Sequence, residues 1–223
     1  MTSNSDIIKK TRPVFEGFTT YLQVFFCLII ASFIAGAPSS IYEAASGNPL
    51  FFELNYGEPL AFSGESVLIS SIVLLLVFYL SASIQVGISL FCLDIYNGKG
   101  INFSTLFGSF STLKPLAITI LLTLIIGVGF ILLIIPGIIL GLMYSQAYYI
   151  LAEEPNIAVL EALKKSEKMM KGKKMQLFML TLRAMLYFIL GVFTLFIWWI
   201  WLVPRYSVAF AGFYEELKKD FNN

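Results

Sequence analysis

The feature that most constrains this chain is the length of its apolar runs. Stretches able to cross a hydrocarbon layer of ~30 Å occur at about Phe18–Gly36, Ser66–Ile95, Ala117–Leu151 and Met175–Phe213. The last two are too long for one crossing each. With 58% hydrophobic and 13% charged residues over 223 positions, little chain remains for a separate soluble domain. We therefore expect one all-α, polytopic transmembrane helical bundle spanning residues 1–223.

Charge segregation orients the spans. The connection from Gly36 to Glu65 carries Glu43, Glu53, Glu58 and Glu65 without one Lys or Arg, whereas Lys99 and Lys114 flank the next connection. The acidic loop is expected outside and the N-terminus inside. Lys9, Lys10 and Arg12 before an apolar run ending in "AGA" at 35–37 are compatible with a cleavable leader, but the run is longer than a leader core and further spans follow. An uncleaved first span is the preferred reading.

The run Ala117–Leu151 has basic residues at both ends and "IIPGII" at its centre, where Pro136 and Gly137 are expected to turn the chain. A further regularity bears on the last run. "YSQAYYILAEE" from Tyr144 and "YSVAFAGFYEE" from Tyr206 share their spacing 62 residues apart, and the same offset aligns Gly129 with Gly191 and Leu140 with Leu202. The expectation is a repeated helical hairpin, and so six spans in three hairpins (18–36, 66–95, 117–135, 137–152, 175–192 and 198–215) with both termini cytoplasmic. If the match arose from composition, Met175–Val203 is instead one tilted span with an external C-terminus. Two interfacial amphipathic helices are expected between hairpins. One covers 156–171, with Ile157, Leu160, Leu163 and Met170 on one stripe and lysines elsewhere, and a weaker one covers 101–113. The first is equally readable as a solvated, lysine-rich linker.

The run "PGIILGLMYSQAYYILAEEPNIAVLEALKKSEKMMKGKKMQLF", with "FYEEL" near the end, resembles the bacterial membrane proteins catalogued as domain of unknown function 975, over roughly Lys114 to Leu217. Its most specific parts are the Pro136-Gly137 turn, the corner Glu153 to Pro155 and the stretch Ser166 to Gly172. The chain departs from that pattern at Arg183 to Tyr187, Phe196 to Trp198 and Pro204-Arg205. The resemblance implies a multi-pass protein of the bacterial cytoplasmic membrane and brings no catalytic residues.

The chain has no histidine, which removes the usual base for a serine or cysteine nucleophile and the commonest zinc ligand. Cys27 and Cys92 sit in apolar runs and read as packing residues. No phosphate-loop, dinucleotide or nucleic-acid motif occurs. We expect no catalysis, no cofactor, no metal and no nucleic-acid partner. Arg183 and Arg205 are placed at similar depth in adjacent spans, where an ionisable residue costs at least ~2.5 kcal/mol on insertion scales and is a functional candidate by default. With Tyr144, Gln146 and Tyr206 as added donors, they are candidates for holding an anion or lipid phosphate. The alternative is that each guanidinium reaches an interface along its own helix. Lys164, Lys165, Lys168, Lys171, Lys173 and Lys174 are candidates for contact with the inner leaflet. Trp198, Trp199 and Trp201 fit an aromatic belt, and Gln23 and Gln85 fit interhelical hydrogen bonds. The leading expectation is a non-enzymatic accessory protein that engages membrane lipids, anionic ones among them, or another membrane protein, in envelope homeostasis or protection against membrane-active peptides. The alternative is a transporter or permease subunit for a small anionic or amphipathic substrate.

Overall fold

The computed structural model describes residues 3–11, 19–32, 64–192 and 198–222, and among them every regular element is helical. In chain order these are α1 (Asn4–Lys10), α2 (Thr19–Ser32), α3 (Gly64–Tyr96), a 3-10 helix (Phe103–Ser111), α4 (Lys114–Leu132), α5 (Ile134–Tyr144), α6 (Ala147–Glu153), α7 (Val159–Met169), α8 (Lys174–Val192) and α9 (Trp199–Asn222). Four stretches of the described chain are long and apolar enough to cross a membrane: Phe78–Tyr96, Lys114–Leu132, Ile134–Glu153 and Lys174–Val192. The helix Thr19–Ser32 is apolar but shorter. The remainder of the expected first span, the "AGA" segment, Glu43, Glu53, Glu58 and the outer turn of the last pair lie outside the described residues. α9, expected to span over 198–215, does not join the four, because Arg205 and the charges from Glu215 onward dilute its apolar run.

Burial is distributed as a lipid solvent would have it. Ile131 is 85% exposed and Ile135 70%, and the outward residues of α8, among them Met185 and Leu190, are exposed as well. A patch of that kind is unfavourable in water and neutral against acyl chains. The packed core lies at the other end of the helices, where Phe91, Leu93, Ala147, Ile150, Met170, Phe213 and Tyr214 are buried together.

α4 and α5 form an antiparallel pair. Gly129 faces Gly137 and Leu140, Thr119 Oγ1 lies 3.1 Å from the Tyr148 hydroxyl, and Lys114 donates to the Pro155 carbonyl at 2.7 Å. The turn is not made by Pro136 and Gly137 as expected. It falls at Leu133, whose extended backbone (φ −164°, ψ 152°) separates the helices, and Pro136 sits in the first turn of α5, where its missing N–H leaves no bond unmade. Gly137 serves packing instead, since a Cβ there would come within 2.6 Å of the Phe130 ring. α8 and α9 pair in the same sense, through the Phe188 and Trp199 rings at 5.6 Å and the Lys173–Asp220 ion pair at 2.9 Å. Gly191 here faces Trp199 and Leu202, each 62 positions after its counterpart in the first pair.

Two expected surface segments are packed more closely than foreseen. The 3-10 helix lies on α3, with the Leu106 backbone against Gly87 and Tyr79 donating to the Phe110 carbonyl. α7 is docked by Ala162, Leu163, Ser166 and Met169; of the apolar stripe expected to lie along the inner leaflet, Leu163 and Met170 are buried within the protein and Leu160 is 64% exposed. The apolar segment 134–153 is interrupted at Ser145–Gln146. That break leaves the last carbonyls of α5 without helix donors, and Ser166 Oγ reaches across to donate to the Met143 oxygen at 2.9 Å. A chain reversal follows α7, with Gly172 at φ +77°, a conformation that strains any side chain.

The repeated glutamates hold the charged end together. Glu153 accepts from Tyr214 at 2.8 Å and from Lys218 at 2.6 Å, Glu154 pairs with Lys165, Glu215 accepts from Asn97 at 2.9 Å, and Glu216 accepts from Lys10 at 2.8 Å. Four acidic side chains thus reach α9, α7, the end of α3 and α1 in turn.

Candidate anion-binding site

α9 begins beyond the end of α8 and runs back beside it, and the step from Pro204 to Arg205 lies inside the helix. Pro204 cannot donate to the carbonyl one turn earlier. Arg205 and Tyr206 follow directly, and Tyr206 is buried against Tyr187 (ring centroids 6.2 Å) and Phe188 (6.4 Å) of α8. Arg183 stands one turn before Tyr187 on α8, so the two side chains lie on one face.

Arg183, Tyr187, Arg205 and Tyr206 line a cavity of about 360 Å³ together with Ser5, Ile8 and Lys9 of α1, and Trp198 and Leu202 close its apolar side. Arg183, Arg205 and Tyr206 are therefore brought together. No carboxylate lines the cavity. Among the described residues no ion pair involves either arginine, and Arg205 Nε is buried without a hydrogen-bond partner. A desolvated guanidinium edge beside two further cations is an arrangement that an oxyanion stabilises, because it supplies both charge and acceptors.

Tyr144 and Gln146 are not part of this cavity. Both lie at the break between α5 and α6, where Gln146 is buried, donates to Ser145 Oγ at 2.8 Å and leaves its Oε1 without a partner. The six lysines also divide. Lys164, Lys168, Lys171 and Lys174 line a groove of about 680 Å³ with Glu167, Met143 and Met175, whereas Lys165 turns to Glu154 and Lys173 to Asp220. Among the described residues no group of three potential metal ligands occurs.

The sequence reading missed Ser5, Lys9 and Tyr187. The signals were weak: Lys9 sits in the basic cluster that any first span carries inside, and Tyr187 is separated from Arg183 by the i,i+4 spacing of many apolar helix faces.

The expected family resemblance is met. The profile of the family described as Protein of unknown function (DUF975) matches residues 124–220, from the middle of α4 to the end of α9, so that segment is similar to this family. No curated protein and no solved structure matches the chain.

Proposed function

We propose that this chain is a non-enzymatic, multi-pass protein of the bacterial cytoplasmic membrane that binds anionic lipid and serves an accessory role in envelope homeostasis or protection against membrane-active peptides. The observation that carries the reading is the cavity between α8 and α9, which gathers Arg183, Arg205 and Lys9 with no carboxylate. In this arrangement α2 and α9 complete six spans, the antiparallel pairs are tandem hairpins, and both termini are cytoplasmic. The recurrence of the Gly129 and Gly191 contacts at one offset supports the hairpin repeat. The lysine groove of α7 and α8 would face headgroups, where each lysine near anionic lipid contributes about 1 kcal/mol.

The test is lipid co-purification and melting temperature for Arg183→Leu, Arg183→Lys, Arg205→Leu and Arg205→Lys. A site that grips phosphate through the planar fork loses bound anionic lipid in all four, more with Leu than with Lys. Unchanged lipid with equal or higher melting temperature in the Leu variants would remove the reading, since an arginine that only snorkels from within a span is costly and its loss stabilises.

One observation favours the second reading, a transporter for a small anionic or amphipathic substrate. The apolar segment 134–153 is broken at Ser145–Gln146, and Gln146 Oε1 is buried without a partner. Discontinuous spans with unsatisfied polar groups are where transporters bind substrate. Anion flux into proteoliposomes that disappears in Gln146→Leu would favour it over the accessory role.

A further inference from the structure

α1 is too short to be stable alone, yet it is fixed at both ends. Asn4 Nδ2 donates to the Gln176 carbonyl of α8 at 2.7 Å, and Lys10 Nζ donates to Glu216 of α9 at 2.8 Å. Between these anchors Ile7 is fully buried and Ile8 nearly so, and Thr11 Oγ1 closes the helix on the Ile8 carbonyl at 2.7 Å. The helix therefore crosses from α8 to α9 as a wall of the cavity. Its register decides which lysine enters. Lys10 is engaged by Glu216, and Lys9 lines the cavity with Ser5 beside it.

Three cations in one cavity exceed what a phosphodiester can balance. A diester headgroup carries a single negative charge at neutral pH, whereas a phosphomonoester carries ~1.5 to 2 and presents three strong acceptor oxygens. Arg205 Nε is buried without a hydrogen-bond partner beside the apolar Leu202, and a dianion balances the charge gathered there more fully than a monoanion does. The donors match in kind as well: guanidinium groups of Arg183 and Arg205, the ammonium of Lys9 and hydroxyls of Ser5, Tyr187 and Tyr206. We propose that this cavity selects a phosphomonoester, and that α1 supplies in Lys9 the cation that distinguishes it from a diester. The inference rests on the anion-site reading above and adds to it the charge state of the ligand and the role of the N-terminal helix.

The experiment uses the full chain in detergent and measures binding of phosphatidate, phosphatidylglycerol and inorganic phosphate. At about pH 7.5 phosphatidate should bind about tenfold more tightly than phosphatidylglycerol, the ratio expected when one additional charge contact is made. The groups facing the ligand are Lys9 of α1, Arg183 and Tyr187 of α8, and Arg205 and Tyr206 of α9. The titration that matters is then the ligand's own, with a second pKa near ~6, so the preference should shrink to about twofold at pH 5. Lys9→Gln should shrink it equally at pH 7.5 and keep the melting temperature, and Lys9→Arg should restore it. Displacement of phosphatidate by inorganic phosphate would identify a soluble phosphomonoester as the ligand, and failure to displace it a lipid one; either supports the selection. Equal affinity for the two lipids, or a preference untouched by pH 5 or by Lys9→Gln, overturns it while leaving anionic lipid binding intact. Binding of none of the three probes removes both proposals.

Discussion

Gly87 and Gly141 are both glycines inside apolar helices, and they answer to different constraints. A Cβ on Gly87 would lie 2.1 Å from the Leu106 carbonyl oxygen, a backbone atom that cannot move without displacing the 3-10 helix. Nothing lies within 4 Å of a Cβ placed on Gly141. Gly87→Ala is therefore expected to destabilise by about 1–3 kcal/mol through overpacking. Gly141→Ala should be neutral or stabilise by up to ~1 kcal/mol through helix propensity. Thermal melts of the two variants in one detergent check this, and an equal response from both would mean that the 3-10 helix does not rest on α3. The same scale explains why Arg183 and Arg205 were legible as candidates: a guanidinium within an apolar run is conspicuous in any sequence, whatever it turns out to face.

At the scale of elements, α1 is the least expected part of the structure and α7 the most altered. The Lys10–Glu216 contact is what fixes the C-terminal end of α1, and the hydrogen bond to Glu216 raises the Lys10 pKa above its ordinary value of 10.5. A raised pKa means that the folded protein holds the proton more tightly. The contribution is therefore fully present below about pH 10.5 and is lost as the pH rises through the folded value. Lys10 is largely solvent-exposed, so the contribution is expected to be on the order of 1 kcal/mol or less. Lys10→Met should lower the melting temperature slightly at neutral pH, with the gap from the wild type closing as the pH passes the lysine range. A gap that persists there would show that α1 is held by other contacts. For α7, the helix and its lysines are readable in the sequence, and of its apolar stripe Leu163 and Met170 are buried within the protein while Leu160 is exposed. Hydropathy does not announce Ser166, a buried polar residue that donates to the Met143 carbonyl and so joins the docked face.

For the whole molecule, the expected arrangement puts both ends of the chain on one side of the membrane. The antiparallel α8–α9 pair, tied by Lys173 and Asp220, returns the C-terminus to the level of α8's first turn. A single cysteine placed after Asn223, with Cys27 and Cys92 replaced by alanine, should therefore escape an impermeant thiol reagent added to intact cells and react once the cells are opened. Labelling from outside would refute six spans. It would also move Arg205 out of the membrane interior and weaken the argument that its charge needs a ligand.

Hydropathy and charge order are sums over neighbouring residues, which is why the sequence by itself determined an all-helical chain with membrane-spanning runs and the presence of two arginines needing an account. They do not encode contacts between distant positions. Asn4 meets Gln176 and Lys10 meets Glu216 across separations of 172 and 206 residues, and nothing local to either partner announces the other. Only the tertiary structure decided that the turn falls at Leu133, that Tyr144 and Gln146 stand apart from the arginines, and that Lys9 joins them. The physical reason is the same in each case: close packing and the need to pair buried polar groups select among arrangements that are equally apolar, and hydropathy cannot rank those.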